Sequence, residues 1–232
     1  MSPSGSASPS AAGAAFGRRL GIGLMHTLWR PRVLGAWRVP PAGPVILAGN
    51  HAHNVDGPML MGTSPRPVHF LVKKEAFVGP LDPFLRGLGQ LKVDRGGVDR
   101  AAVQDALAVL RDGRVLGIFP EGTRGEGDFA SLRAGLAYFA VRSGAPIVPV
   151  AVLGSAGEET RSRLIPGLPR LRGRIDVVFG DPFHAQEPGS GGPRAGKGTR
   201  AALDEATTRI QRRLSDHLAH ARRSTGRETA RR

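Results

Sequence analysis

The feature that most constrains the fold of this chain is a series of short apolar runs separated by segments with helical periodicity. The runs are bounded by glycine or proline, as buried strands usually are, and they occupy residues 45–48, 68–72, 115–119, 147–152 and 175–179. Apolar residues at helical spacing lie between them, at residues 103–110 and 132–140, and a late helix is predicted over residues 199–221. This alternation predicts an α/β fold: a single domain with a central mixed, largely parallel sheet flanked by helices.

Composition narrows the class of protein and of partner. The chain has 232 residues, 40% of them hydrophobic, which is enough for one globular domain with a substantial core. It has no cysteine, which excludes disulfides, thiolate metal sites and a cysteine-bound acyl intermediate. Its net charge of +14 predicts a polyanionic partner, such as nucleic acid, an anionic membrane or a phosphorylated substrate. Residues 160–174 combine five arginines with leucine and isoleucine and no acidic residue, which suits an anionic lipid surface.

The ends of the chain differ in composition from its middle. The first 15 residues are rich in serine, alanine, proline and glycine, which indicates a disordered leader. The basic, apolar segment after it is too short and too interrupted to span a membrane, which takes about 20 consecutive apolar residues. We expect it to form an amphipathic helix at a membrane surface, with an ordinary helix packed on the domain as the alternative. The predicted organisation is a leader (1–15), a basic membrane-associating segment (16–43), a folded domain (44–185), a flexible linker (186–198), a C-terminal helix (199–221) and a basic tail (222–232).

Polar clusters follow three of the predicted strands. "HAHNVDG" follows the strand at residues 45–48, "PEGTR" follows the strand at residues 115–119, and Lys92 and Arg95 close a short strand in "GQLKVDR". Ligand chemistry in α/β sheets collects at the carboxyl ends of strands. We therefore expect the three clusters to contribute to a functional site.

The first cluster has three interpretations: a metal site, a base oriented by a carboxylate, or a polar turn without chemistry. His51 and His53 are only two residues apart and no further His/Asp set completes a metal site, which disfavours the first. On a continuous helix His51 and Asp56 would lie roughly 140° apart and could not pair. They can meet if a turn, which Asn50, Asn54 and Gly57 favour, leads into a helix with Asp56 in its first turn. The pair would then act as a general base with its orienting carboxylate.

These residues resemble a known family. With His51 followed by four residues and Asp56, and with "FPEGTR" downstream, the chain resembles the glycerolipid acyltransferases, specifically the 1-acyl-glycerol-3-phosphate acyltransferases. The resemblance covers roughly residues 44–180, since "GQLKVDR", "IVPVAVLG" and "KKE" are similar to further blocks of that family. His53 stands where the family commonly has serine, and Lys92 where it prefers an apolar residue or proline. The resemblance implies a glycerol-3-phosphate acyltransferase-like fold and makes residues 44–185 an acyltransferase domain.

The resemblance also implies a reaction. A fatty acyl group would pass from acyl-CoA or acyl-acyl carrier protein to the free hydroxyl of 1-acyl-glycerol-3-phosphate, giving phosphatidic acid in phospholipid biosynthesis. His51 would be the general base and Asp56 would orient it, with direct transfer, no metal and no cofactor besides the acyl donor. Six further residues are expected to bind substrate, the arginines through the acceptor's phosphate: Lys73, Arg95, Glu121, Gly122, Thr123 and Arg124.

The expected partners follow from this reaction. They are lysophosphatidate, an acyl thioester, an anionic membrane surface and acyl carrier protein, with the enzyme peripheral or monotopic on the cytoplasmic face of the cell membrane. One tyrosine, two tryptophans and no recognisable binding module disfavour nucleic acid. The alternatives are an acyltransferase acting on another lipid alcohol and a non-catalytic, basic lipid-binding protein.

Overall fold

The fold is built from seven strands and six α-helices within the residues that the structure, a computed structural model, describes: 9–97, 99–121, 128–129, 132, 134–156, 162, 168–186 and 200–227. The strands are β1 (Arg30–Leu34), β2 (Val45–Gly49), β3 (Val68–Lys73), β4 (Leu91–Val93), β5 (Val115–Ile118), β6 (Ile147–Leu153) and β7 (Arg174–Phe179). The helices are α1 (Ala11–Leu28), α2 (Asp56–Thr63), α3 (Leu81–Gly87), α4 (Arg100–Arg111), α5 (Gly135–Ser143) and α6 (Arg200–Thr225). Short 3-10 helices occupy Ala36–Arg38 and Lys74–Ala76.

All seven strands join one sheet in the order β1-β7-β6-β2-β5-β3-β4. Five of the six neighbouring pairs are parallel, and only β6 and β7 are antiparallel. The prediction of a mixed, largely parallel sheet is therefore confirmed. Because these parallel strands run the same way, the carboxyl ends of β2, β3, β4, β5 and β6 meet at one edge of the sheet.

The sheet is buried on both faces, which explains why its strands are almost continuously apolar. Successive residues alternate between the two faces: Ile147 and Ala151 of β6 join a cluster with α4, α5 and α6, whereas Val148 and Val150 face the side of α1 and α2. A strand that is buried on both faces needs apolar residues at nearly every position, and these are the short apolar runs that predict the strands.

The N-terminal boundaries predicted from the sequence are wrong. Helix α1 begins at Ala11, inside the predicted leader, because Ser10 caps it by accepting a hydrogen bond from the Gly13 N–H at 2.9 Å. Residues 30–34, assigned to the membrane-associating segment, form edge strand β1 beside β7. The sequence of β1, "RPRVL", has no apolar run, and Pro31 is tolerated there because edge strands need fewer ladder hydrogen bonds.

The C-terminal helix also ends later than the sequence predicted. Helix α6 extends to Thr225, four residues beyond its predicted end and into the predicted basic tail. The buried side chains of Ala221 and Thr225 continue the apolar stripe that holds α6 against the sheet. The predicted linker, apart from Gln186, lies outside the described residues.

Helix α1 packs on the domain through small residues. A side chain on Gly62 of α2 would come within 2.6 Å of the Gly21 carbonyl carbon, so the two backbones nearly touch. A neighbouring face of α1 exposes Phe16, Leu20 and Leu24 to solvent. One side of the helix thus packs on the domain, as one of the two sequence interpretations expects, and a neighbouring side is apolar and uncovered. Attachment of this helix to a membrane surface stays a prediction. Within the described residues, no helix has the length and apolar character needed to cross a membrane.

Candidate active site

The first polar cluster forms a turn between β2 and α2, as the sequence predicted. Strand β2 ends at Gly49, and α2 begins at Asp56. This turn brings the two side chains together, with His51 Nδ1 3.3 Å from Asp56 Oδ2. The expected meeting of His51 and Asp56 is therefore found in the structure.

Asp56 is completely buried and held by the turn itself. Its Oδ2 atom accepts hydrogen bonds from the backbone N–H groups of Ala52, at 2.8 Å, and His53, at 2.6 Å. It also lies in the first turn of α2, where the helix dipole favours a negative charge. These interactions stabilise the carboxylate and fix it under the imidazole of His51.

The His51 ring is restrained from a second side by an aromatic stack. Its centroid lies 4.4 Å from that of Phe119, with 21° between the ring planes, and Phe119 in turn stacks on Phe70 at 5.6 Å. With Nδ1 directed at a carboxylate, the neutral ring carries its proton there, which leaves the Nε2 lone pair available to accept another. Phe119 belongs to the "FPEGTR" motif, but nothing in the sequence indicates that its ring stacks on the histidine.

The side chain of Glu121 contacts the backbone of His51. Its Oε1 atom accepts a hydrogen bond from the His51 N–H at 3.4 Å, so this residue, expected to bind substrate, contacts the His–Asp pair. Burial raises the pKa of Glu121, and the nearby carboxylate of Asp128 adds to the increase. Glu121 therefore gives up its charge more readily than an exposed glutamate would.

A cavity of about 380 Å³ opens beside the pair and joins two of the three polar clusters. His51 and Phe119 line one part of it, and Lys73 and Arg95 line another. The rest of the wall is mainly apolar: Met61, Phe70, Leu71, Val72, Ala76 and Leu85. The cavity therefore combines a potential base, two cations and an apolar surface, a suitable arrangement for an amphipathic anion.

The two cations come from neighbouring strands. Lys73 is the last residue of β3, and Arg95 follows the end of β4 by two residues. An ion pair between Lys74 and Asp94, at 2.6 Å, ties the two strand ends together. Lys92 does not line the cavity, and its ammonium lies 5.5 Å from the centre of the Phe77 ring in a cation–π contact.

His53 has a local contact. Its Nδ1 atom accepts a hydrogen bond from the Val55 N–H at 3.3 Å, which stabilises the turn. A serine hydroxyl could make a similar bond, so the departure from the family's usual residue is compatible with the same turn. No three His, Asp or Glu side chains form a potential metal site in the part of the chain that the structure describes. Gly122, Thr123 and Arg124 lie outside the described residues.

Comparison with known proteins gives a consistent assignment. The sequence matches the family described as Acyltransferase over residues 30–153, which is more than half of the chain. It is 29% identical over 156 residues to the 1-acyl-sn-glycerol-3-phosphate acyltransferase of Bacillus subtilis, covering 66% of this chain and 73% of that protein. It is 34% identical over 122 residues to the protein of the same name from Borreliella burgdorferi, covering 51% of this chain and 49% of that one.

Two further similarities concern another substrate and the fold. The chain is 34% identical over 115 residues to the lyso-ornithine lipid O-acyltransferase of Pseudomonas aeruginosa, covering 48% of this chain and 44% of that protein. Its fold is similar to the crystal structure of the lysophosphatidate acyltransferase PlsC from Thermotoga maritima, with a TM-score of 0.61 at 23% identity over 90% of this chain and 78% of that one. From the family match and these similarities we conclude that the chain belongs to the acyltransferase family and is an O-acyltransferase.

Proposed function

We propose that this enzyme transfers a fatty acyl group from an acyl thioester to the free hydroxyl of 1-acyl-glycerol-3-phosphate, producing phosphatidate. The observation that carries the proposal is one cavity lined by His51, which contacts Asp56, and by the cations Lys73 and Arg95. The names of the Bacillus and Borreliella relatives support the same acceptor.

In the proposed mechanism, His51 acts as the general base. Its Nε2 atom takes the proton of the acceptor hydroxyl as that oxygen attacks the thioester carbonyl, and a tetrahedral intermediate forms. Asp56 stabilises the resulting imidazolium through Nδ1. When the intermediate collapses, the C–S bond breaks and the imidazolium returns the proton to the leaving thiolate. The acyl group passes directly between the substrates, without an acyl-enzyme.

The phosphate of the acceptor would lie against Lys73 and Arg95. Arginine can hold a phosphate through two parallel hydrogen bonds, while lysine contributes a point charge. Arg124, Gly122 and Thr123 would complete this subsite, as the family resemblance implies. The apolar wall, including Met61 and Leu85, would contact hydrocarbon.

The donor would be acyl-CoA or acyl-acyl carrier protein, and the enzyme would work at the cytoplasmic face of the membrane. The exposed apolar side chains of α1 support a peripheral attachment, since soluble proteins rarely leave such a stripe uncovered. Arginines in the same helix and no acidic residue would favour anionic lipid.

A second candidate acceptor is a lysolipid without phosphate. The similarity to the lyso-ornithine lipid O-acyltransferase favours it, because the same His–Asp chemistry would serve any lipid hydroxyl. The two candidates differ in whether Lys73 and Arg95 bind a phosphate.

The test is a thioester-release assay with acyl-CoA and acyl-acyl carrier protein on three acceptors: lysophosphatidate, monoacylglycerol and lyso-ornithine lipid. We expect lysophosphatidate to be preferred, and Arg95→Ala to raise its KM roughly 10- to 100-fold, which is the range for hydrogen bonds to charged groups. Arg111→Ala is the control, because it removes an exposed arginine from α4 on the other face of the sheet. Equal losses on the phosphorylated and phosphate-free acceptors would assign Arg95 a structural role, and a preference for lyso-ornithine lipid would establish the second candidate.

A further inference from the structure

Asn50 lies between the end of β2 and His51, and its side chain contacts the neighbouring strand β6. Its side chain is 2% exposed. Its Oδ1 atom accepts a hydrogen bond from the Val152 N–H at 2.7 Å, and its Nδ2 atom donates one to the Val152 carbonyl at 3.1 Å. One carboxamide therefore satisfies both backbone groups of a buried residue on the neighbouring strand β6.

The strand register explains why Val152 needs these partners. Strands β2 and β6 pair in parallel until Gly49 lies opposite Val150, and β6 then continues to Leu153 without β2 beside it. The backbone of His51 has left the sheet, since its N–H points to Glu121. The carboxamide of Asn50 takes the place of the missing strand, so the chain can turn at His51 without leaving buried backbone groups unpaired.

We infer that Asn50 is a positioning residue for His51, a role that rests on the proposed function of His51 as the base. The carboxamide anchors the residue before His51 to β6. The ring itself is held by Phe119 on the β5 side and by Asp56 below it. Removing the anchor would free the backbone beside the base while leaving the other two restraints in place.

The sheet order predicts a specific kinetic effect. Lys73 and Arg95 belong to the ends of β3 and β4, which lie on the opposite side of β2 from β6. We therefore expect Asn50→Ala to lower kcat about 10- to 100-fold, as small displacements of catalytic groups do, and to leave KM for lysophosphatidate nearly unchanged. Asn50→Asp should not restore kcat, because it lacks the donor and places a charge against the Val152 carbonyl.

A matched control separates positioning from general stability. Arg66 also makes two hydrogen bonds to backbone groups, donating to the carbonyls of Pro40 at 2.9 Å and Gly113 at 2.6 Å, but it lies at the opposite edge of the sheet. We expect Arg66→Ala to lower the melting temperature as Asn50→Ala does, with kcat per folded molecule unchanged. In the Asp56→Asn background, Asn50→Ala should lower kcat by a much smaller factor than it does in the wild-type enzyme, since both variants act through His51.

A second readout does not depend on turnover. In protein with ¹⁵N-labelled histidine, the imidazole resonances of His51, identified by their loss in His51→Ala, should shift or broaden in Asn50→Ala and not in Arg66→Ala. Unchanged His51 resonances together with wild-type kcat in Asn50→Ala would overturn the inference, as would a fully multiplicative effect with Asp56→Asn. Absence of acyl transfer by the wild-type enzyme would refute the proposed function instead, and the resonances would still decide whether Asn50 positions His51.

Discussion

At the residue scale, the orientation of the His51 imidazole depends on the carboxylate of Asp56, and the local turn determines the position of that carboxylate. The backbone N–H groups of Ala52 and His53 and the start of α2 all hold Asp56. We expect His51→Ala to abolish transfer, because the proposed general base would be lost. Asp56→Asn should reduce kcat by up to about 10⁴-fold, as in catalytic triads, because an amide would favour the wrong imidazole tautomer. Steady-state kinetics with purified variants would measure both effects.

The control for these variants is His53→Ala, which removes a neighbouring imidazole whose hydrogen bond, from the Val55 N–H, lies within its own turn. Its kcat should stay within a few-fold of the wild-type value. Near-normal turnover by His51→Ala would refute the base mechanism, and complete inactivity of His53→Ala would point to a metal-dependent reaction instead.

The residues of the site differ in how far the sequence could predict them. The pairing of His51 with Asp56 was predictable because both lie within one turn, where spacing and helix geometry restrict the possibilities. The partner of Asn50 was not, because it lies 102 residues away and depends on β2 ending before β6 does. The stack of Phe119 on His51 likewise depends on the register between neighbouring strands β2 and β5.

At the element scale, the close contact of α1 with α2 connects the N-terminal helix to the site, because α2 carries Asp56 in its first turn. A side chain on Gly62 would overlap the backbone of α1 at Gly21, where nothing flexible can move aside. We expect Gly62→Ala to destabilise the protein and lower kcat, although alanine in a helix is otherwise favoured over glycine by about 1 kcal/mol. Thermal denaturation and transfer assays on the same sample would measure the two effects.

Gly23→Ala provides the matched control in the partner helix α1. A side chain there meets nothing within 4 Å, so only the gain in helix propensity remains and the melting temperature should not fall. If Gly62→Ala were as stable and active as Gly23→Ala, the helices would be able to separate without affecting Asp56.

Elements were predictable where their apolar pattern was strong. All five strands expected from apolar runs are present, and they fill the five central positions of the sheet, from β7 to β3. Strand β1 escaped prediction because an edge strand can be basic and partly exposed, as Arg30 and Arg32 are. Arg32 is held there by Asp176 of β7, at 2.6 Å, and this partner cannot be read from local sequence.

At the scale of the whole molecule, the exposed apolar surface lies on the side that carries the cavity. Six of the eight large apolar side chains that are exposed in the described residues belong to α1 or to the region of α3: Phe16, Leu20, Leu24, Val78, Leu81 and Phe84. Helix α1 packs on α2 and touches α3, and these two helices supply Met61 and Leu85 to the cavity wall. A membrane covering this surface would bring a lipid acceptor close to the proposed base.

This arrangement predicts how the proposed membrane attachment can be weakened without damaging the fold. A truncation through residue 39 is unsuitable, because it would remove β1 and the buried Trp29. The substitutions Phe16→Ser, Leu20→Ser and Leu24→Ser together change only exposed positions of α1. Each side chain is about half exposed, so its insertion into lipid should contribute roughly 1 kcal/mol, and the triple variant should bind vesicles about 100-fold more weakly.

Sedimentation with anionic and neutral vesicles across a salt series would measure this effect. Tyr138→Ser is the control, because it changes an exposed aromatic residue on α5, which covers the other face of the sheet.

The wild-type protein should bind anionic vesicles more tightly at low salt, since the arginines of α1 are screened within about 8 Å at 0.15 M. The triple variant should retain the same salt dependence, because its arginines are unchanged. If the triple variant and Tyr138→Ser bound equally well, the apolar stripe of α1 would not be the membrane-facing surface, and attachment would have to come from another part of the molecule.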